Sequence, residues 1–134
     1  MSADFFDTNV VLYLLDDGPK AEAAERLLAD GGVVSVQVLN EALVNCIRKG
    51  AMDWAEASEF LWGIRRLCRV VDVTAEVHDL GRALGARYGF SVYDAMIVAA
   101  ALLAGCTRLY SEDMQDGMLV EGALRIVDPF SDRG

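Results

Sequence analysis

From Val92 to Ala104 the chain reads Val-Tyr-Asp-Ala-Met-Ile-Val-Ala-Ala-Ala-Leu-Leu-Ala, and Asp94 is its only charge. Ser91 before it and Gly105 after it are helix start and stop signals. No face of such a helix suits water, so it must sit centrally in whatever fold the chain adopts. Its longest apolar run, Ala95 to Ala104, is too short to cross a bilayer, which takes about 20 residues.

The rest of the chain alternates strand-like and helix-like stretches. Phe5-Phe6 leads into Asp7-Thr8-Asn9 as a short strand, a turn and a helix start. Asp16-Asp17-Gly18-Pro19 is a turn, Lys20 to Leu28 a helix, and Val33 to Val36 a β-branched strand. Val38 to Lys49 carries its apolar residues on one stripe, and Gly50 closes it. Asp53 with Glu56 is a capping pattern for a helix to about Cys68. Val70 to Val73, Leu109 to Ser111 and Arg125 to Val127 are the remaining strands expected, with a helix from Thr74 toward Arg87. This alternation implies an α/β fold with a central, mainly parallel sheet flanked by helices. The 134 residues suit one domain, 1–134, with its core from about residue 4 to 130.

The net charge of −9 disfavours loose binding to nucleic acid or to an anionic membrane. Cys46, Cys68 and Cys106 lie apart among apolar neighbours and read as small buried hydrophobes. His78, the one histidine, reads as a partly exposed helix residue. Met1-Ser2-Ala3-Asp4 lacks the basic start of a secretory leader, so a cytoplasmic protein is expected. There is no Gly-rich phosphate loop and no G-x-S-x-G elbow. The two lysines, Lys20 and Lys49, do not follow the last strands, which argues against a phosphoacceptor receiver.

Against this background four acids stand out: Asp7, Glu41, Asp94 and Asp113. Each has a structural explanation when taken alone. Asp7 caps the following helix, Glu41 is solvated and paired with Arg48 or Asn45, Asp94 completes a capping box with Ser91, and Asp113 is a loop acid with Asp116 three residues on. Together they sit where open parallel sheets bind ligands, beyond the carboxyl ends of the strands. Carboxylates gathered there resist full ionisation unless a cation joins them. All-oxygen ligation favours Mg²⁺ or Mn²⁺ over zinc, and such ions serve phosphodiester hydrolysis.

The segments around these acids resemble PIN-domain ribonucleases, and among them the VapC-type toxins of type II toxin–antitoxin systems. The resemblance is carried by Phe6-Asp7-Thr8-Asn9-Val10, Ser35-Val36-Gln37-Val38-Leu39-Asn40-Glu41, Tyr93-Asp94 through Ala101, and Leu109-Tyr110-Ser111-Glu112-Asp113-Met114. It spans about Asp4 to Phe130. It implies a three-layer PIN-like domain and a metal-dependent endoribonuclease acting on structured RNA of the tRNA or rRNA class. Asp7, Glu41, Asp94 and Asp113 match the family's catalytic acids, Ser111 its hydroxyl, and Asp116 a less constant fifth acid. It further implies a homodimer and a cognate VapB-type antitoxin that blocks the cleft. Asp128 departs from the asparagine common before Pro129-Phe130.

Under this reading Asp7, Asp94, Asp113 and Asp116 hold Mg²⁺ or Mn²⁺, and Thr8, Asn9 and Ser111 orient them. Glu41 binds metal directly or through water. Hydrolysis would leave a 3′-hydroxyl and a 5′-phosphate. RNA must be held by local basic patches, with Arg48 and Lys49, and Arg65, Arg66 and Arg69, as candidates, each patch read more simply as a solvated helix face. The rival readings are a non-catalytic interaction module with this fold, and a metal-dependent DNA nuclease or phosphatase.

Overall fold

Three strands, β1 (Asp4–Phe6), β2 (Gly32–Ser35) and β3 (Cys68–Val71), run parallel and side by side in the order β3-β2-β1. The chain then returns to the other flank of β1 to lay down β4 (Arg108–Tyr110) and β6 (Leu124–Val127), both parallel, with β5 (Leu119–Val120) antiparallel on the edge. The sheet order is therefore β3-β2-β1-β4-β6-β5. These elements belong to a computed structural model that describes residues 4–131; Met1 to Ala3, read above for a leader, and residues 132–134 lie outside them.

The connections are helical: α1 (Thr8–Leu12) with a 3₁₀ turn (Tyr13–Leu15), α2 (Pro19–Ala29), α3 (Val36–Arg48), α4 (Trp54–Leu67), α5 (Ala75–Tyr88) and α6 (Val92–Leu103). Most starts are legible because a short polar side chain caps them; α2 instead starts on Gly18-Pro19 with no side-chain cap. Ser35, Thr74 and Ser91 accept the N–H three residues on, and Asp53 with Glu56 forms the full capping box. The three-layer α/β architecture expected from the sequence is the one found.

The core lies between the sheet and its helices, with Phe5, Phe6, Val33, Val34, Leu109 and Ile126 contributed by the strands. The middle of α6, Ala95 and Ile97 to Ala101, is buried as its composition demands. Its ends are not: Val92 and Tyr93 are about two-thirds exposed, and Leu103 is partly open. The expectation that every face would be covered thus fails at the first turn, which projects past the sheet and walls a groove. Gly81 of α5 permits the close approach of α6, because a Cβ there would meet Met96 Sδ at 2.5 Å. Gly89, with φ +79°, turns the chain between the two helices.

Two strand readings need correction. β3 starts at Cys68, not Val70, since the chain leaves α4 without a turn and pairs at once with Gly32. β5 was missed altogether; it is two residues long and exists through pairing with β6 around a turn in which Glu121 and Gly122 have positive φ. The cysteines are free and buried, as expected, and burial pushes the Cys68 and Cys106 thiols up to about 11. No single helix among the described residues is long and apolar enough to cross a membrane.

Candidate active site

Between the parallel strands β1 and β4 the order of strand addition switches from one side of the sheet to the other, and open α/β sheets bind ligands in the crevice at such a point. The register there is Phe6 beside Tyr110, so the next rung brings Asp7 beside Ser111. The Asp7 N–H donates to the Tyr110 carbonyl at 3.0 Å, carrying the ladder one step past the strand. Asp7 and Ser111, far apart in sequence, are thus set together by backbone pairing alone.

Asp7 is buried and caps α1. Its Oδ1 accepts the Thr8 N–H at 2.7 Å and its Oδ2 accepts the Ser111 hydroxyl at 2.7 Å. Burial nevertheless pushes its pKa from 3.8 up to about 6, and the charges of Asp94 and Glu41 push the same way. The two hydrogen bonds favour the ionised form and only partly offset this. The capping role and the site role therefore coincide in one carboxylate.

Glu41 lies on α3, and the docking of that helix settles which way it faces. Thr8 Oγ1 donates to Glu41 Oε1 at 2.8 Å, and Gln37 Nε2 to Oε2 at 2.9 Å. The side-chain pairing expected with Asn45 or Arg48 is replaced: Asn45 donates to the Glu41 backbone carbonyl, and the carboxylate turns to Thr8. Asp94, half-buried in the first turn of α6, has its pKa raised by burial and by the charges of Asp113 and Glu41, against a hydrogen bond from Ser91. Its backbone N–H donates to Ser91 Oγ at 3.3 Å. Asp113 is exposed; its Oδ2 accepts the Asn9 amide at 3.0 Å and its N–H donates to Ser111 Oγ.

Asn9 links the two flanks of the crevice. Its Nδ2 donates to Asp113 and, at a longer 3.4 Å, to Asp7, while its Oδ1 accepts the Glu112 N–H at 3.1 Å. Asp116 Oδ1 accepts the Asp128 N–H at 2.9 Å, and Asp128 Oδ1 in turn accepts the Phe130 N–H. Gln37, which also donates to the Tyr93 carbonyl, was not singled out in the sequence. The signal that would have found it is its spacing, one helical turn before Glu41.

The donor chemistry fits a hard divalent cation: the side chains hydrogen-bonded together here are carboxylates, hydroxyls and amides, while His78 and Cys46 line the flanking clefts. The spacing is looser than a closed cage. Among the described residues no three His, Cys, Asp or Glu side chains are drawn together tightly enough to clasp one ion by themselves. Ser111, Asn9 and Thr8 stand between the acids.

Two clefts flank this set. A groove of about 1020 Å³, mostly apolar, runs past Glu41, Tyr93, Met96 and Arg48. A cavity of about 470 Å³ on the other side is lined by Asn9, Asn45 and Lys49. Arg48 thus shares a groove with Glu41, and Lys49 a cavity with Asn9. Arg65 and Arg66 occupy the last turn of α4, which runs straight into the amino end of β3, at the sheet edge opposite the acids. Arg69 lies near that edge too, close enough to Cys106 and Asp4 to act on the same thiol. Arg65 is stacked over Trp62 at 4.5 Å.

With this geometry in view, the comparisons are specific about family. The model of the PIN domain matches residues 5–115, a span that holds Asp7, Glu41, Asp94 and Asp113 and stops just short of Asp116. The chain belongs to the PIN-domain family, and its fold is that of PIN-domain nucleases of the VapC toxin type. Similar solved structures include a toxin–antitoxin complex from Klebsiella pneumoniae, with TM-score 0.74, 18% identity, and coverage of 95% of this chain and 98% of the other. DNA-bound VapBC from Salmonella typhimurium gives TM-score 0.70 at 20% identity, covering 96% and 99%. VapC20 of Mycobacterium tuberculosis, a sarcin-ricin loop cleaving toxin, gives 0.65 at 24%, covering 79% and 86%. No curated protein matches the sequence.

Proposed function

We propose that this chain is the toxin of a type II toxin–antitoxin pair, acting in the cytoplasm as a Mg²⁺- or Mn²⁺-dependent endoribonuclease on structured RNA. One observation carries the proposal: around the switch point of the sheet Asp7 feels the charges of Asp94 and Glu41, Asp94 those of Asp113 and Glu41, and Asp7 is buried at a raised pKa. Structural cap residues need no such company. A carboxylate whose ionisation is opposed by burial and by neighbouring acids is what a cation would relieve.

Asp7, Asp94 and Asp113 are the residues that would hold the ion, with Asp116, whose Oδ1 accepts the Asp128 N–H, as a further candidate. When bound, a divalent ion supplies an activated water and neutralises charge on the phosphate during in-line hydrolysis. The chain's own side chains do the rest. Ser111 and the Thr8 N–H keep Asp7 aimed by donating to its two oxygens. Thr8 and Gln37 hold Glu41 at the edge of the site, where it accepts a proton from water or orients it. Water oxygen bonds to phosphorus, the bond to the 3′-oxygen breaks, and the products are a 3′-hydroxyl and a 5′-phosphate. Arg48, in the groove with Glu41, and Lys49, in the cavity with Asn9, offer the positive charge that RNA needs on a chain of net charge −9.

The VapBC likenesses support a VapB-type antitoxin as partner, and the acidic surface suits a basic segment of it; a homodimer is expected as well. The test is cleavage by the purified chain with Mg²⁺ or Mn²⁺, using tRNA, rRNA and DNA of matched length. Cutting of RNA that is lost in Asp7→Asn supports the proposal. Cutting of DNA alone would move the assignment to the DNA nuclease reading, and inactivity with every substrate and metal would favour the non-catalytic module.

A further inference from the structure

Lys20 stands in the first turn of α2, directly after Pro19. That is a poor place for a cation, because the helix dipole there is positive. Its partner explains it. Lys20 Nζ is paired with Glu112 and also donates to the Tyr13 hydroxyl at 3.2 Å. Tyr13 donates in turn to Glu112 Oε1 at 2.7 Å. Phe130 packs edge-on against Tyr13 with ring centroids 4.8 Å apart, and Lys20 lies over both rings. Segments far apart in the chain therefore converge on one carboxylate, Glu112.

Glu112 is the residue between Ser111 and Asp113, and its backbone N–H donates to Asn9 Oδ1. An amide has one accepting and one donating end. With Oδ1 turned to Glu112, the Asn9 NH₂ must face the acids, and it does, at 3.0 Å from Asp113 Oδ2. We propose that Tyr13, Lys20 and Glu112 form a clasp outside the acidic cluster that fixes the orientation of the Asn9 amide and, through it, the position of the Asp113 carboxylate. The clasp is a positioning device. It rests on the reading of Asp113 as a ligand only for its effect on metal and catalysis; its effect on Asn9 stands apart from that.

The need for such a device follows from placement. Asp7 is held by backbone pairing and burial, but Asp113 is exposed on the loop after β4, outside any strand, between the buried Ser111 and Met114. Exposed carboxylates lose their geometry unless something outside holds the loop, and partners outside the ligand set commonly change metal affinity by about 10- to 100-fold.

The experiment uses the full chain and the variants Lys20→Met, Glu112→Ala, Tyr13→Phe and the exchange Lys20→Glu with Glu112→Lys. Two readouts are taken: the side-chain NH₂ signals of Asn9 in ¹⁵N-labelled protein, and Mn²⁺ affinity by calorimetry. Lys20→Met and Glu112→Ala are expected to move the Asn9 signals toward those of a free amide and to weaken Mn²⁺ binding about tenfold. The charge exchange should recover most of the loss, and kcat for RNA should fall with KM little changed. Tyr13→Phe removes one oxygen and should give a smaller change of the same kind in a chain that still folds. Asn9 signals unmoved in folded Lys20→Met and Tyr13→Phe overturn the clasp. Wild type that binds no Mn²⁺, while its Asn9 signals respond to Lys20→Met, overturns the metal reading and leaves the clasp standing.

Discussion

Asp7 and Asp113 accept hydrogen bonds from the same Asn9 amide, yet they belong to two different regions of the site. Asp7 forms the floor. It is 4% exposed, follows β1 without a break, and is set against Ser111 by the register of the sheet. Asp113 forms the rim, exposed on a loop and held by side chains. The floor costs burial of charge and gains fixed geometry. The rim keeps its charge in water, and its position depends on contacts that a single substitution can remove. A cation would have to satisfy both.

The largest effect expected is on the floor: Asp7→Asn should abolish RNA cleavage while the far-ultraviolet circular dichroism stays that of wild type. Cleavage persisting in Asp7→Asn and in Asp94→Asn would exclude these acids as the catalytic centre. The same floor should show in stability. A pKa raised from 3.8 to about 6 means that the folded chain holds its proton more tightly than the unfolded one. The stabilisation is complete below about pH 4 and is lost as pH rises through about 6, to a total of about 3 kcal/mol. Urea unfolding in chelator at pH 4.5 and 7.5 should therefore show a smaller loss in Asp7→Asn than in wild type. An equal loss in both would mean that burial of Asp7 carries no penalty.

Divalent metal should offset that penalty. Millimolar Mn²⁺ is expected to raise the melting temperature of wild type at pH 7.5, by an increment worth about 2.7 kcal/mol when the ion is at 100 times its Kd. Asp113→Asn should keep part of the increment and Asp7→Asn none, which would rank floor above rim. Ser111→Ala comes next. It strips the buried hydroxyl from Asp7 and should cost about 1–3 kcal/mol with a fall in kcat. Smallest of all, Arg48→Ala and Lys49→Ala should raise KM for RNA with kcat unchanged, and the effect should fade as salt rises.

Much of the floor was legible in the sequence. Phe5-Phe6 before Asp7, and Leu109-Tyr110 before Ser111, are apolar strands that end in polar groups, and an α/β chain places such ends on one edge. The helix caps at Ser35, Asp53, Thr74 and Ser91 were equally plain, because capping is local chemistry. Less plain was Glu41, whose helical wheel sets it beside Asn45 and Arg48 without saying whether that side meets water or a cleft. β5 escaped because two residues carry no periodicity, and β3 was started late because no turn separates Leu67 from Cys68. The basic candidates were separated only by tertiary placement: Arg48 lines a groove with Glu41 and Lys49 a cavity with Asn9, while Arg65, Arg66 and Arg69 lie toward the far edge of the sheet.

The apolar stretch from Val92 to Ala104 determined by itself that a helix would be buried, because an Ala- and Val-rich surface has no stable home in water. Spacing and composition likewise determined the strand–helix alternation and the acids that end it. Only the tertiary structure decided that α6 would leave its first turn exposed as the wall of a groove, that Glu41 would face Thr8, and that Lys20 would reach Glu112. The reason is physical. Periodicity and capping are settled within one turn of chain, whereas the meeting of residues as distant as Thr8 with Glu41 and Lys20 with Glu112 depends on how whole helices dock on the sheet.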